Sequence, residues 1–110
     1  MDDGIEIRLF RGPRSQAPFL KWLNSQKDKR TIAIVQSRLN RVRLGNFGDC
    51  SPLGGGVEEL RIDHGPGHRI YFGRVGKNVV MLLSAGSKST QSKDIGKARK
   101  YWREYLNDKD

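Results

Sequence analysis

Between Ile5 and Phe10 apolar and charged residues alternate ("IEIRLF"), the period of a strand with one buried face. Gly12 and Pro13 break that pattern. The spacing then becomes helical: Phe19, Leu20, Trp22 and Leu23 predict a short helix from about Pro18, a residue suited to a first helical turn. Ala17 has no capping oxygen, so Ser15 is the candidate cap. Asp28 can cap a second helix. In it Ile32, Val35, Leu39 and Val42 form one apolar stripe, while Arg38, Arg41 and Arg43 fall elsewhere on its surface. Gly45 is placed to end this helix. Residues 46–56 read as a loop. Strands are then expected near Val57–Asp63, His68–Gly73 and Asn78–Leu83, with a turn over residues 75–77. The run "VVMLL" (Val79 to Leu83) is apolar on both faces, as in a central strand. A last helix is expected over Ile95–Leu106. Ile95, Ala98, Trp102 and Tyr105 share one side of it, and Lys97, Lys100 and Arg103 decorate the rest.

This pattern predicts an α+β fold in the order β-α-α-β-β-β-α. The three later strands form an antiparallel meander, because their joining turns are short. The helix pair lets the first strand lie parallel to a later one. The expected sheet has four strands and is packed on one face by the helix pair, with the C-terminal helix docked through Trp102. A chain of 110 residues fits one domain, residues 1–110, with frayed ends at about 1–4 and 107–110.

Charge narrows the class of partner. Lys and Arg total 21 against 12 acids, a formal +9, with a pI near 10.1. Such an excess attracts polyanions, nucleic acid first. An anionic membrane is disfavoured by the lack of any long apolar run or lipidation motif. Met1 is followed by acids and not by a basic then apolar leader, and Cys50 is the single cysteine, so a reducing cytoplasm is the expected location. Cys50 reads as an inert loop residue rather than a reactive thiol. No paired Cys/His spacing suggests zinc, no GxxxxGK[ST] phosphate loop is present, and no cofactor is expected.

The chemistry concentrates in "GGGVEELRIDHGPGHRIYFG", Gly54 to Gly73. Leu60 and Ile62 point one way, so Arg61 points the other; Ile70 and Phe72 place Arg69 and Tyr71 likewise. The turn between the strands makes Arg61 and Arg69 cross-strand neighbours on one open face. Two cations there repel unless solvated or neutralised. A phosphate would neutralise both through the guanidinium fork; the plainer alternative is pairing with Glu59 or Asp63. After the apolar strand comes "SAGSKSTQSKD", Ser84 to Asp94. Its small residues permit close approach of a ligand, and its Lys88 can reach a phosphate. Ser89, Thr90 or Gln91 can bond a sugar or base, or Thr90 or Ser92 can cap the last helix. Tyr71 and Phe47 are candidates for stacking on a base. His68 is a candidate acid or base, although alternation leans it toward the core side.

Together "LGNFGD", "LGGGVEELRI", "GPGHRIYFG" and "KSTQSKDIGKARKYW" resemble the RelE/ParE superfamily of type II toxins, most closely the phage Gp49-like, HigB-type addiction-module killer proteins. The resemblance covers about Ile5 to Tyr105. It implies a compact RelE-like fold and a ribosome-dependent mRNA interferase that cuts by metal-independent attack of the 2′-hydroxyl. It also implies a cognate helix-turn-helix antitoxin, and operator DNA bound through the toxin–antitoxin complex. By position, Arg69 matches the family's arginine against the scissile phosphate, Arg61 a basic position on the preceding strand, and Lys88 the basic position after the last strand. His68 stands where many relatives have tyrosine, Ser87 where many have an acid, and the C-terminal catalytic tyrosine of RelE has no secure counterpart. Arg41, Arg43 and Lys93 are further candidate RNA contacts on the second and last helices. The alternatives are a ParE-like gyrase inhibitor and a toxin relative that only binds antitoxin or nucleic acid.

Overall fold

Pro18, Asp28 and Gly45 set the boundaries of the first two helices in a computed structural model that describes residues 4–108. Strand β1 (Glu6–Leu9) leads to α1 (Pro18–Asn24) and α2 (Lys29–Arg43). Asp28 caps α2 by accepting from Arg30 N–H at 2.9 Å. Gly45, at φ +89°, ends it: Gly45 N–H bonds Val42 O at 2.8 Å and Asn46 N–H bonds Arg41 O at 2.9 Å, the paired bonds of a Schellman motif. α1 has no side-chain cap from Ala17. Ser15 does not supply one either: it sits at φ +62°, and its carbonyl accepts from Arg11 Nη1 at 2.7 Å.

Four more strands follow: β2 (Cys50–Gly54), β3 (Val57–Ile62), β4 (His68–Val75) and β5 (Val79–Ser87). A 3-10 turn over Lys88–Thr90 then leads into α3 (Gln91–Asp108). The sheet order is β1-β5-β4-β3-β2, with β1 parallel to β5 and every other pair antiparallel. The expected element order and the parallel first strand are thus observed, but the sheet has five strands rather than four. The extra strand is β2, expected to be loop because Pro52 and Gly54 lie within it. An edge strand tolerates both, and the β2–β3 register shifts between them. Cys50 accordingly lies on a strand. β5 and α3 are longer than expected, and residues 107–108, expected to fray, continue α3; residues 1–3 and 109–110 of the expected ends lie outside the described residues.

The sheet is covered on both faces. α1 and α2 bury Phe19, Val35, Leu39 and Val42 against Leu60, Ile62, Ile70, Phe72, Val80 and Leu82. α3 buries Ala98 and Trp102 against Val57, Tyr71, Met81 and Leu83 on the other side. This second layer is possible because Gly73 lies flat under the Trp102 ring, where a Cβ would collide with it. Arg38, expected on the surface of α2, is buried at 9% exposure. It donates to three carbonyls: Arg61 O at 2.6 Å, Phe47 O at 2.9 Å and Asp49 O at 2.8 Å. It thereby clamps α2 to β3 and to the segment before β2. No helix among the described residues is long and apolar enough to cross a membrane.

Candidate functional site

Arg61 and Arg69 are direct cross-strand partners on β3 and β4, as the alternation predicts. The negative group between them belongs to the protein. Glu59, two residues before Arg61 on the same face, is buried with its side chain 4% exposed. Arg61 Nη1 donates to Glu59 Oε2 at 2.9 Å, and Arg69 Nε lies 3.7 Å from Glu59 Oε1. Gln91, the first residue of α3, donates to the same Oε1 at 3.3 Å. Of the two anions the sequence left open, a phosphate or an acid of the chain, it is Glu59 that stands between the arginines, because two guanidiniums in register need an anion.

The two arginines are not equivalent. Arg61 is heavily engaged: beside the Nη1 bond to Glu59, its Nε and Nη2 donate to Asp49 Oδ1 at 3.0 and 2.9 Å, and Nη2 also donates to Ser51 Oγ at 2.8 Å. These bonds hold the Asp49 carboxyl below the usual carboxylate range. Among the described residues Arg69 has only the longer ion contact with Glu59, and its buried Nε lacks a hydrogen-bond acceptor. With two guanidiniums and two carboxylates the cluster is neutral, and Arg69 is its under-coordinated cation. Lys88 emerges at the same end of the sheet: Arg69 pairs with Gly86 and His68 with Ser87, and Lys88 N–H then bonds Gly67 O at 3.0 Å. Gly86 lets the first turn of α3 close in, since a Cβ there would strike the Asp94 carboxylate and lie 2.7 Å from Thr90 Oγ1. Thr90 in turn donates to Asp94 Oδ2 at 2.5 Å.

The remaining candidates do not join this cluster. Tyr71 shares the face but is fully buried under α3, and its hydroxyl has no partner among the described residues. At 0% exposure its ring cannot stack on a base, and burial pushes its pKa up to about 12. Phe47 is covered: its ring stacks on Phe72 at 5.8 Å, and the Arg74 guanidinium lies 4.1 Å over it. His68 points to the α1 side, packed edge-on to Trp22 at 5.7 Å, with both ring nitrogens buried and unpartnered. Burial lowers its pKa, and as a closed-in neutral ring it cannot serve beside Arg69. Arg41 and Arg43 are exposed at the C-terminal end of α2, where Arg43 O accepts from Ile5 N–H at 2.8 Å, just before the β1 residue that pairs with Val79. Neither is among the partners of Glu59, Arg61 or Arg69; of the α2 arginines it is Arg38 that reaches β3, at Arg61 O. Lys93 is exposed on α3 and faces a separate groove against α1. The Cys50 thiol donates to Glu58 Oε1 at 3.6 Å and has its pKa raised, first by burial, which fits an inert role.

Glu59 is the residue on which this site turns. Its signal was present in "EELRI": an acid at i−2 from Arg61 necessarily shares its face. Tyr71 could also have been placed, since "RIYFG" and "VVMLL" are apolar on both faces and such strands lie between two covering layers.

No protein-family model matches the sequence. A protein of Haemophilus influenzae (strain ATCC 51907 / DSM 11121 / KW20 / Rd), described as an uncharacterized protein, is similar to it. The two are 43% identical over 81 residues, which span 74% of this chain and 82% of the Haemophilus protein.

Proposed function

The chain belongs to one family with this Haemophilus influenzae protein, and we propose that it is a RelE-like toxin of the HigB type that cleaves messenger RNA on the ribosome. The observation that carries the reading is the under-coordinated guanidinium of Arg69, held beside Arg61 by Glu59, with Lys88 leaving the same end of the sheet. In the reaction, the 2′-oxygen of a ribonucleotide forms a bond to the adjacent phosphorus and the bond to the 5′-oxygen breaks. This leaves a 2′,3′-cyclic phosphate and a 5′-hydroxyl. Negative charge grows on the non-bridging oxygens, where the Nη groups of Arg69, which unlike its buried Nε are not closed off, supply directed donors, and on the departing 5′-oxygen, where Lys88 supplies a cation. Arg61, already engaged by Asp49, Ser51 and Glu59, acts with Glu59 to hold Arg69 in place. One well-aimed donor of this kind contributes about 3–4 kcal/mol to the transition state. His68 and Tyr71, whose polar atoms are closed off, take no part in the proton transfers. A small helix-turn-helix antitoxin, and operator DNA bound through their complex, are the partners this reading entails.

The test is induced expression with mapping of message ends. Wild type should cut within translated codons. Arg69→Ala should lose at least a hundredfold of that cleavage while keeping its circular dichroism spectrum; undiminished cutting would falsify the assignment. Glu59 satisfies the arginines internally, which favours a second reading: a toxin relative that binds RNA or an antitoxin without cutting. RNA retained on the wild-type protein but left intact, with and without ribosomes, would select that reading. Loss of gyrase supercoiling without message cleavage would select a ParE-like inhibitor.

A further inference from the structure

β5 outruns its parallel neighbour. β1 pairs with it only from Val79 to Leu82, and Phe10 N–H to Leu82 O, at 2.9 Å, is the last backbone bond along that edge among the described residues. β5 continues to Ser87 with β4 paired on its other side, but among the described residues no strand accompanies it on the side of β1. Five residues, about 17 Å of strand edge at roughly 3.3 Å each, therefore lie in mid-sheet with one side unpaired. Backbone N–H and C=O groups in that position require partners.

A groove of about 860 Å³ runs along this gap, with α1 on one wall and α3 on the other. Its floor is Ser84, Ala85, Gly86 and Ser87, side chains small enough for another backbone to lie against them. Its charge is one-sided. Lys21 projects from α1 and Lys93, Lys97 and Lys100 from α3, all exposed. Of the two carboxylates on the walls, Asp94 is buried in its bond with Thr90, leaving Glu104 alone to oppose four ammonium groups.

We infer that this groove takes an extended acidic segment of another protein, which adds a strand to β5 in line with β1. A strand edge offers alternating donors and acceptors that another peptide backbone matches rung for rung. A nucleic acid would answer the lysines but leave the edge unpaired. The inference goes beyond RNA cleavage and stands without it, since Arg69 does not line the groove.

The experiment uses the full chain, uniformly labelled with nitrogen-15, and three kinds of probe. These are a capped ten-residue peptide alternating Glu and Val, its Lys-for-Glu counterpart, and the acidic peptide N-methylated at alternate nitrogens in either phase. The acidic peptide should bind at least tenfold more tightly than the basic one and slow amide exchange within Leu83–Ser87. At least one N-methylated phase should bind tenfold more weakly, as should the acidic peptide to a Lys93→Glu, Lys97→Glu, Lys100→Glu variant. Absence of binding, binding without that protection, or undiminished binding of both methylated phases would overturn the inference. So would an oligouridylate that occupies the same amides more tightly than the acidic peptide.

Discussion

At the residue scale, the governing fact is that a covered sheet tolerates unpaired polarity at few points, and among the described residues three side chains of β4 carry it: both ring nitrogens of His68, the Arg69 Nε and the Tyr71 hydroxyl. Glu59 and Asp94 both face Tyr71 electrostatically, and with burial they hold its proton on, so that it ionises only near pH 12. The sign of the linkage follows. The unfolded tyrosine titrates near pH 10. The stability gained by keeping the folded phenol neutral is therefore intact below pH 10 and is lost as pH rises toward 12. Tyr71→Phe removes both effects. Near neutrality it should leave stability unchanged or raise it by about 1 kcal/mol, because a buried hydroxyl without an acceptor is deleted. Between pH 10 and 12 the wild type should lose about 2 kcal/mol more than the variant. Urea midpoints measured across that range check both statements, and parallel pH profiles would show that the hydroxyl reaches an acceptor or water.

At the element scale, α3 decides which side chains the sheet can present. It lies close enough that Gly73 and Gly56 both meet Trp102, the latter at φ +87° with the indole Nε1 2.5 Å from where a Cβ would stand. Gly73→Ala places a methyl in the ring's own space, and overpacking of this kind costs about 1–3 kcal/mol. Trp102→Phe should recover part of that loss, so a double-mutant cycle read by thermal unfolding should give a coupling of about 1 kcal/mol; additive losses would show that α3 does not press on β4 there. This layer also explains how far the sequence could be read. Period-two and helical stripes identified Val57–Ile62, Lys29–Arg43 and the α3 face, and alternation placed Arg61 beside Arg69. Alternation cannot say what covers a face, so Tyr71 was expected in the open and the partner of the arginines was left between phosphate and Glu59. β2 escaped because edge strands impose little on side chains. Arg38 escaped because its role rests on three backbone carbonyls brought together only by the fold.

At the scale of the whole molecule, the +9 charge is distributed rather than focused. The Arg61–Arg69 cluster is neutral with its two carboxylates, whereas Arg41 and Arg43 stand exposed on α2, outside that cluster. If Arg69 and these α2 arginines serve one RNA, they do so as separate points along it, each releasing its own counterions. Binding to single-stranded RNA then has a salt slope of roughly −0.7 per phosphate neutralised. Arg41→Ala with Arg43→Ala should reduce the magnitude of the log K against log salt slope by about 1.4, whereas Arg69→Ala should reduce it by only about 0.7. Fluorescence anisotropy of a labelled oligoribonucleotide over a salt series separates the two. A slope unchanged in the double variant would mean that α2 carries a solvated basic surface, and that the molecule meets RNA only at the Arg69 end of the sheet.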